Sequence, residues 1–311
     1  MIDDEKKIFI KIAHYYYMQG MTQEQIANKV SMSRQKVNRI IGSLFEKGIV
    51  TIKINGYEKS YAELEGSIEK RFNLKQVIVT DVEDENLEDK LGNVAAKYLE
   101  SVVKDGDVIS VSWGKTLAAV ADSMPTLKRK DISVIQCVGG TNVKDISIMT
   151  DEITRVFSNK LRANPYFMYA PCIVKDENTK RVIMNEDTVK NVFNMVEKSN
   201  IALVGIGGMS DKATLHKYNF LDDDDFSSLK SSGCVGDICF IPFDIKGKLV
   251  EKSMKKRIIG IDHNTLMGIP LVIGVAGGEN KKEAILGALN SDFLDVLVTD
   301  FETANYILDT V

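Results

Sequence analysis

The sequence predicts an α/β protein in two parts: a small helix-turn-helix headpiece with a β-rich tail, and a larger, doubly wound, mostly parallel sheet. Three observations carry that expectation. Residues 22–46 read as two short capped helices joined by a tight turn. From Gln76 onward, short β-branched runs alternate with helical stretches, the pattern of a parallel sheet covered by helices. Four of these stretches carry glycine-bearing loops, two of them with a lysine at a helix start. At 311 residues the chain has room for a headpiece and a second domain with a large core.

In the headpiece, Thr22 with Gln25 three residues on forms a capping-box start. Ser33, about a dozen residues later, is placed to cap a second helix by accepting a backbone N–H. Ile26, Ala27 and Val30 make the apolar face of the first helix, and Val37, Ile40, Ile41 and Leu44 recur at helical spacing on the second. What remains on the outer face is Arg34, Gln35, Lys36, Asn38 and Arg39, side chains that hydrogen-bond base edges and phosphates. An ordinary helical hairpin with a solvated surface is the plain alternative. Such a face usually mixes both signs, however, and no carboxylate lies between Ser33 and Ser43. Residues 1–56 hold nine Lys/Arg against five Asp/Glu in a chain of net charge −4, so the remainder carries about −8. A basic headpiece on an acidic body suits a module that meets phosphates, joined to one that does not. After Lys47-Gly48, the β-rich run Ile49-Val50-Thr51-Ile52-Lys53-Ile54 suits the wing of a winged helix-turn-helix. The expected partner is double-stranded DNA, met by Thr22, Gln23, Ser33, Arg34, Gln35, Lys36, Asn38 and Arg39.

No apolar run approaches the length of a membrane span, and the N-terminus MIDDEKKIFI is acidic where a signal peptide would be basic and then apolar, so a cytoplasmic protein without membrane partners is expected. Cys137, Cys172, Cys234 and Cys239 sit in strand-like runs without metal-type pairing and read as buried thiols; no metal site is expected. A hinge is expected at Asn55-Gly56-Tyr57, giving domains 1–56 and 57–311. The charged amphipathic helix over 60–72, with Leu64, Ile68 and Phe72 as its stripe, reads as a connector or pairing surface.

Strands are expected at 77–80, 108–112, 133–137, 201–205, 271–275 and 296–299. In such sheets ligands bind beyond the carboxyl ends of the strands. There the chain places Ser112-Trp113-Gly114-Lys115-Thr116, Val138-Gly139-Gly140-Thr141, Gly205-Ile206-Gly207-Gly208-Met209 and Ala276-Gly277-Gly278-Glu279-Asn280-Lys281. One glycine-rich loop is weak evidence, because glycines commonly serve tight turns. Four in one domain, two with lysine at a helix start that favours anions, point to a phosphate-bearing ligand. Neither G-x-x-x-x-G-K-[ST] nor a strand-linked G-x-G-x-x-G occurs, so a small phosphorylated metabolite fits better than a dinucleotide, and no cofactor is expected.

The segments YYYMQGMTQEQIA, DGDVISVSWGKTL, VIQCVGGT, ALVGIGGM, VGDICFIPFDIKGKLV, RIIGIDHNTLMGIPLVIGVAGGENKKEAI and LDVLVTDFETA together resemble the SorC/DeoR-type sugar-responsive bacterial transcriptional regulators over essentially the whole chain. The resemblance implies a winged helix-turn-helix that binds operator DNA, an effector domain similar in fold to sugar-phosphate isomerases, and assembly as a homodimer or homotetramer. It also implies a phosphorylated sugar or polyol effector; the chain is a candidate repressor or activator. By matching motifs, Gly114, Lys115, Thr116, Gly140 and Thr141 would lie beside the ligand, Asp244 would receive sugar hydroxyls and Lys281 the phosphate; Ser112, Gly207, Gly277 and Gly278 complete the expected effector site. Two departures stand out. Some deoxyribose-phosphate-responsive members carry a Schiff-base lysine where this chain has Val138, so the ligand should be held reversibly. Phe240-Ile241-Pro242-Phe243 replaces a more uniform aromatic pair and alters the expected pocket shape.

The rival reading is a sugar-phosphate isomerase or deaminase-like enzyme with a DNA-binding appendage. Proton transfer on a sugar needs a positioned base, for which Asp244, Asp262, His263, Asp300 and Glu302 are the candidates. His14, His216 and His263 form no apparent pairing with a carboxylate and a nucleophile, and Asp300 and Glu302 suit the first turn of a final helix. No catalytic residue is therefore expected.

Overall fold

The computed structural model describes residues 4–56, 60–82, 86–140, 146–210, 221–250 and 252–310. The chain divides into two compact units, residues 1–60 and 61–311.

The first unit holds α1 (Asp4–Ala13), continued by a π-helical turn at His14–Met18, then α2 (Gln23–Val30) and α3 (Arg34–Ser43). Thr22 and Gln25 close the expected capping box, and Ser33 accepts the Lys36 N–H at 3.2 Å, an interaction typically worth about 1 kcal/mol. Ser31, in the left-handed region at φ 53°, makes the turn between the helices. Ile12, Ile26, Ala27, Val37, Ile40 and Leu44 form the core, with Val30 and Ile41 packed at its margin. Among the described residues the expected wing is not formed: residues 50–54 pair with no described strand, and Ile52 and Ile54 are exposed. The run is β-rich but is the only such run in its unit, and a lone strand has no ladder to join.

The second unit is built on a seven-stranded parallel sheet ordered β1-β10-β9-β5-β2-β3-β4. Its strands are β1 (Gln76–Thr80), β2 (Val108–Val111), β3 (Ser133–Gln136), β4 (Asn164–Tyr166), β5 (Ile201–Gly205), β9 (Val272–Val275) and β10 (Val296–Asp300). A smaller antiparallel sheet joins β6 (Gly207–Gly208), β7 (Cys234–Ile238) and β8 (Ile241–Asp244). The helices are α4 (Ala62–Phe72), α5 (Leu87–Val102), α6 (Lys115–Ser123), α7 (Thr150–Leu161), α8 (Glu177–Met184), α9 (Asp187–Val196), α10 (Asp223–Ser231), α11 (Lys252–Lys255), α12 (His263–Met267), α13 (Lys282–Asn290) and α14 (Phe301–Asp309).

Strand residues alternate between two cores. Ile201 and Leu203 of β5 pack with α5, α6 and α7, whereas Ala202 and Val204 join the core that contains β7 and β8. A Cβ at Gly92 would overlap the Ala119 backbone, so glycine lets α5 and α6 meet closely. Helix α4 is no free connector. It packs on β1 and α14, and its Glu65 and Glu69 carboxylates each accept an edge-strand N–H, from Val79 and Val77 at 2.8 Å. The unpaired edge of β1 is thereby closed to another strand. The direction of strand order reverses between β2 and β5, the crevice where ligands bind in open α/β sheets.

Candidate functional site

On α3 the side chains of Arg34, Gln35, Lys36, Asn38 and Arg39 are all exposed, while Val37, Ile40 and Leu44 are buried on the opposite face. Thr22 and Ser33 are engaged as caps. Gln23 donates from Nε2 to Asn38 Oδ1 at 2.9 Å, which fixes the start of α2 against α3. The outer face therefore presents two guanidiniums, an ammonium and amides, with no carboxylate on the helix.

At the strand-order reversal, loops from β2, β5 and β9 converge with the β7–β8 turn. Ser112 continues β2 by donating its N–H to Leu203, and a Cβ at Gly205 would lie 3.6 Å from the Trp113 carbonyl. Trp113 stacks on Phe240 with ring centroids 5.4 Å apart. Gly207 pairs with Asp237 across β6 and β7, and any Cβ there would overlap the Asp237 carboxylate. Gly208 lies against the Asn280 carbonyl and the Lys281 stem.

Asp237 is the residue the sequence reading missed. It is buried and accepts the Phe240 N–H at 2.9 Å. Burial pushes its carboxyl up to about 6, opposed by that hydrogen bond and by the Lys281 charge. Cys239 and Phe240 follow in consecutive left-handed conformations, φ 53° and 64°, which cost roughly 1–2 kcal/mol each for residues with a Cβ. One signal for Asp237 was available: it is the sole charge in the apolar run CVGDICFIPF.

Lys281 is half-buried in a 3-10 turn (Glu279–Lys281) ahead of α13. Burial lowers its pKa, while Glu88 and Asp237 favour its charged form. The neighbouring Lys282 is not equivalent: it pairs with Glu279 and lies over the Tyr306 ring. The glycines before Lys281 serve the architecture. Gly277 leaves room for the Asp300 carboxylate, and Gly278, at φ 94°, donates its N–H to Asp300 at 2.7 Å. The Gly278 N–H, expected to approach a ligand, is thus turned into the core. Asp300 also caps α14, where it accepts the Thr303 N–H.

Other expected site residues are placed differently. Thr116 is buried, and Lys115 is exposed in a cleft lined by Glu88, Asp89 and Asp122. Gly139 and Gly140 donate their N–H groups to Ile259 and Ala170, so Gly140 offers an anion no backbone donor. Thr141 lies outside the described residues. Asp244 does not join the Lys281 cluster. It pairs with Cys234 at the far end of the β7–β8 hairpin, and its Oδ1 accepts from Lys246 and Lys248 in its own turn. Its carbonyl meets α13 at Gly287, past the helix start that follows Lys281. The antiparallel register, invisible in the sequence, separates Asp244 from Asp237. Among the described residues, no group of three or more His, Cys, Asp or Glu is arranged to hold a metal. His263 contacts Asn264 and the edge of Phe293, and Asp262 caps α12; His216 is outside the described residues.

The "sugar-binding domain" family matches residues 58–309. The chain is 28% identical over 309 residues to the deoxyribonucleoside regulator of Bacillus subtilis, covering 98% of each. It is 29% identical over 311 residues to the sorbitol operon regulator of Klebsiella pneumoniae, again covering 98% of each. The crystal structure of that full-length sorbitol operon regulator matches with a TM-score of 0.77 at 28% identity, covering 98% of this chain and 100% of that one.

Proposed function

The chain belongs to the SorC/DeoR-type family of sugar-binding transcriptional regulators, and on that premise we propose that a phosphorylated sugar or polyol, held beside Lys281, sets its affinity for operator DNA. It is a DNA-binding transcriptional regulator of a carbohydrate operon. The headpiece, residues 1–56, meets DNA through the outer face of α3, and residues 57–311 bind the effector and oligomerise as a homodimer or homotetramer. No helix among the described residues is long and apolar enough to cross a membrane, in keeping with a cytoplasmic protein.

The observation that carries the reading is the pair of opposed charges at the crevice. Lys281 is turned inward beside buried Asp237, at the loop that leads into α13. A phosphate gains from the ammonium and from the partial positive charge of the helix start. A buried carboxylate accepts sugar hydroxyls, the role Asp237 takes in place of Asp244. Val138 provides no amine at the position where the resemblance puts a Schiff-base lysine, so no imine forms at that position.

Binding alone shifts nothing. The effector must prefer one arrangement of the oligomer, because equal affinity for both leaves their ratio unchanged. A thermal-shift panel of sugar and polyol phosphates identifies the ligand. The best binder, incubated with protein in deuterated water and followed by proton NMR, should stay unaltered. Steady deuterium exchange abolished by Asp237→Asn would replace the regulator's effector site with an isomerase.

A further inference from the structure

Two of the four cysteines lie together under the crevice. Cys137 Sγ and Cys239 Sγ are 3.8 Å apart, 102 residues distant in sequence, both buried. Cys137 directly follows β3, just before Val138-Gly139-Gly140, and its thiol donates to the Val111 carbonyl at 3.1 Å. Cys239 sits in the left-handed turn between β7 and β8, beside the Phe240 that stacks on Trp113. Cys239 also lines a cavity of about 260 Å³ whose wall mixes apolar side chains, Met184, Phe193 and Ile241, with charged ones, Lys180, Lys255 and Asp262. One thiol residue thus lines a cavity, and the second sulfur lies 3.8 Å from the first.

We propose that Cys137 and Cys239 are a modification site, oxidised to a reversible intrachain disulfide by an organic hydroperoxide that enters this cavity. The Cys239 sulfur attacks the terminal peroxide oxygen; an S–O bond forms, the O–O bond breaks, and the thiol proton passes to the departing alkoxide, which leaves as the alcohol. Cys137 then attacks the Cys239 sulfenic sulfur; the S–S bond forms, the S–O bond breaks, and hydroxide leaves with the Cys137 proton as water. Two thiols lose two electrons and one hydroperoxide becomes alcohol and water. The hydrogen bond with Cys239 and burial push the Cys137 thiol up, consistent with its acting second.

The disulfide draws the sulfurs from 3.8 Å to about 2 Å. β3 is held on both sides in the sheet, so the strained turn at Cys239 and Phe240 is the part that yields. That movement disturbs the stacked Trp113, the single tryptophan of the chain.

The test treats the full-length protein with tert-butyl hydroperoxide, alkylates residual thiols and maps the peptides by mass spectrometry. A Cys137–Cys239 disulfide within one chain, reversed by dithiothreitol, is expected, together with a change in Trp113 emission of about a third or more that is absent in Cys239→Ala. Cys172→Ala and Cys234→Ala should retain both signals. Recovery of Cys137 and Cys239 as free thiols, as sulfinic acids or in other disulfides overturns the proposal, and so does a correct disulfide that leaves Trp113 emission unmoved. The wild-type peptide map decides the chemistry even where a variant fails to fold. Neither readout uses a sugar phosphate, so the outcome is separate from that of the effector reading.

Discussion

Asp237 carries a buried carboxyl that disfavours the fold at neutral pH, and the proposed effector site makes use of it. Its carboxyl titrates near 6 in the fold against about 4 in an unfolded chain, because burial outweighs the Phe240 N–H and the Lys281 charge. A raised folded-state pKa means the group favours the native state fully below about pH 4, and that contribution is lost as pH rises through about 6. At pH 7 and above, that displacement withholds about 3 kcal/mol from stability. Asp237→Asn keeps an oxygen for the Phe240 N–H and removes the buried charge. Urea unfolding should find the variant no more stable than wild type at pH 4 but more stable by about 2–3 kcal/mol at pH 8. A pH-independent difference would assign the effect to packing. The variant should also lose its response to the effector, a trade of function against stability seen where a site keeps an unfavourable charge.

At the scale of elements, legibility followed the physics of each segment. Six strands of the large sheet could be read because strands covered on both faces are near-continuous apolar runs, such as Ile201-Ala202-Leu203-Val204. β4 could not: Asn-Pro-Tyr is three residues with a proline, tolerated there because β4 is an edge. The β7–β8 hairpin was hidden by Gly236 and Asp237 within β7 and by a turn built from Cys239 and Phe240 in place of glycines. The register of that hairpin decides which carboxylate faces Gly207: Asp237 does, whereas Asp244, expected at the ligand from the resemblance alone, lies at its far end. The capped pair α2 and α3 was legible because caps and apolar spacing are local, whereas a wing needs a partner strand that local sequence does not supply. Helix α3 yields its own prediction. If Arg34 or Arg39 meets guanine, alanine there should weaken operator binding by about 1–3 kcal/mol and relax preference at one base pair. Lys36→Ala should weaken all sequences alike and flatten the salt dependence. Unchanged affinity of the triple alanine variant in a fluorescence-anisotropy titration would end the assignment of this face to DNA.

At the scale of the whole molecule, the question is whether occupancy at the crevice reaches the DNA. Linkage requires that any effector which loosens the operator complex is itself bound less tightly by the DNA-bound form, by the same factor. Lys281 separates this coupling from simple loss of fold, because it is half-buried at the crevice and its neighbour Lys282 is already engaged with Glu279. Lys281→Ala should bind operator as tightly as wild type without effector, yet need at least about tenfold more effector for half-maximal release, a loss of about 1.4 kcal/mol or more. Lys282→Ala should release DNA almost as wild type does. The dephosphorylated ligand completes a cycle: it should bind wild type far more weakly than its phosphate ester, but bind Lys281→Ala only slightly more weakly, because both changes remove one interaction. Titrating DNA release with both ligands and both proteins measures the difference. Additive losses would place the phosphate away from Lys281, and unaltered release by Lys281→Ala would mean that another site in the molecule sets its affinity for DNA.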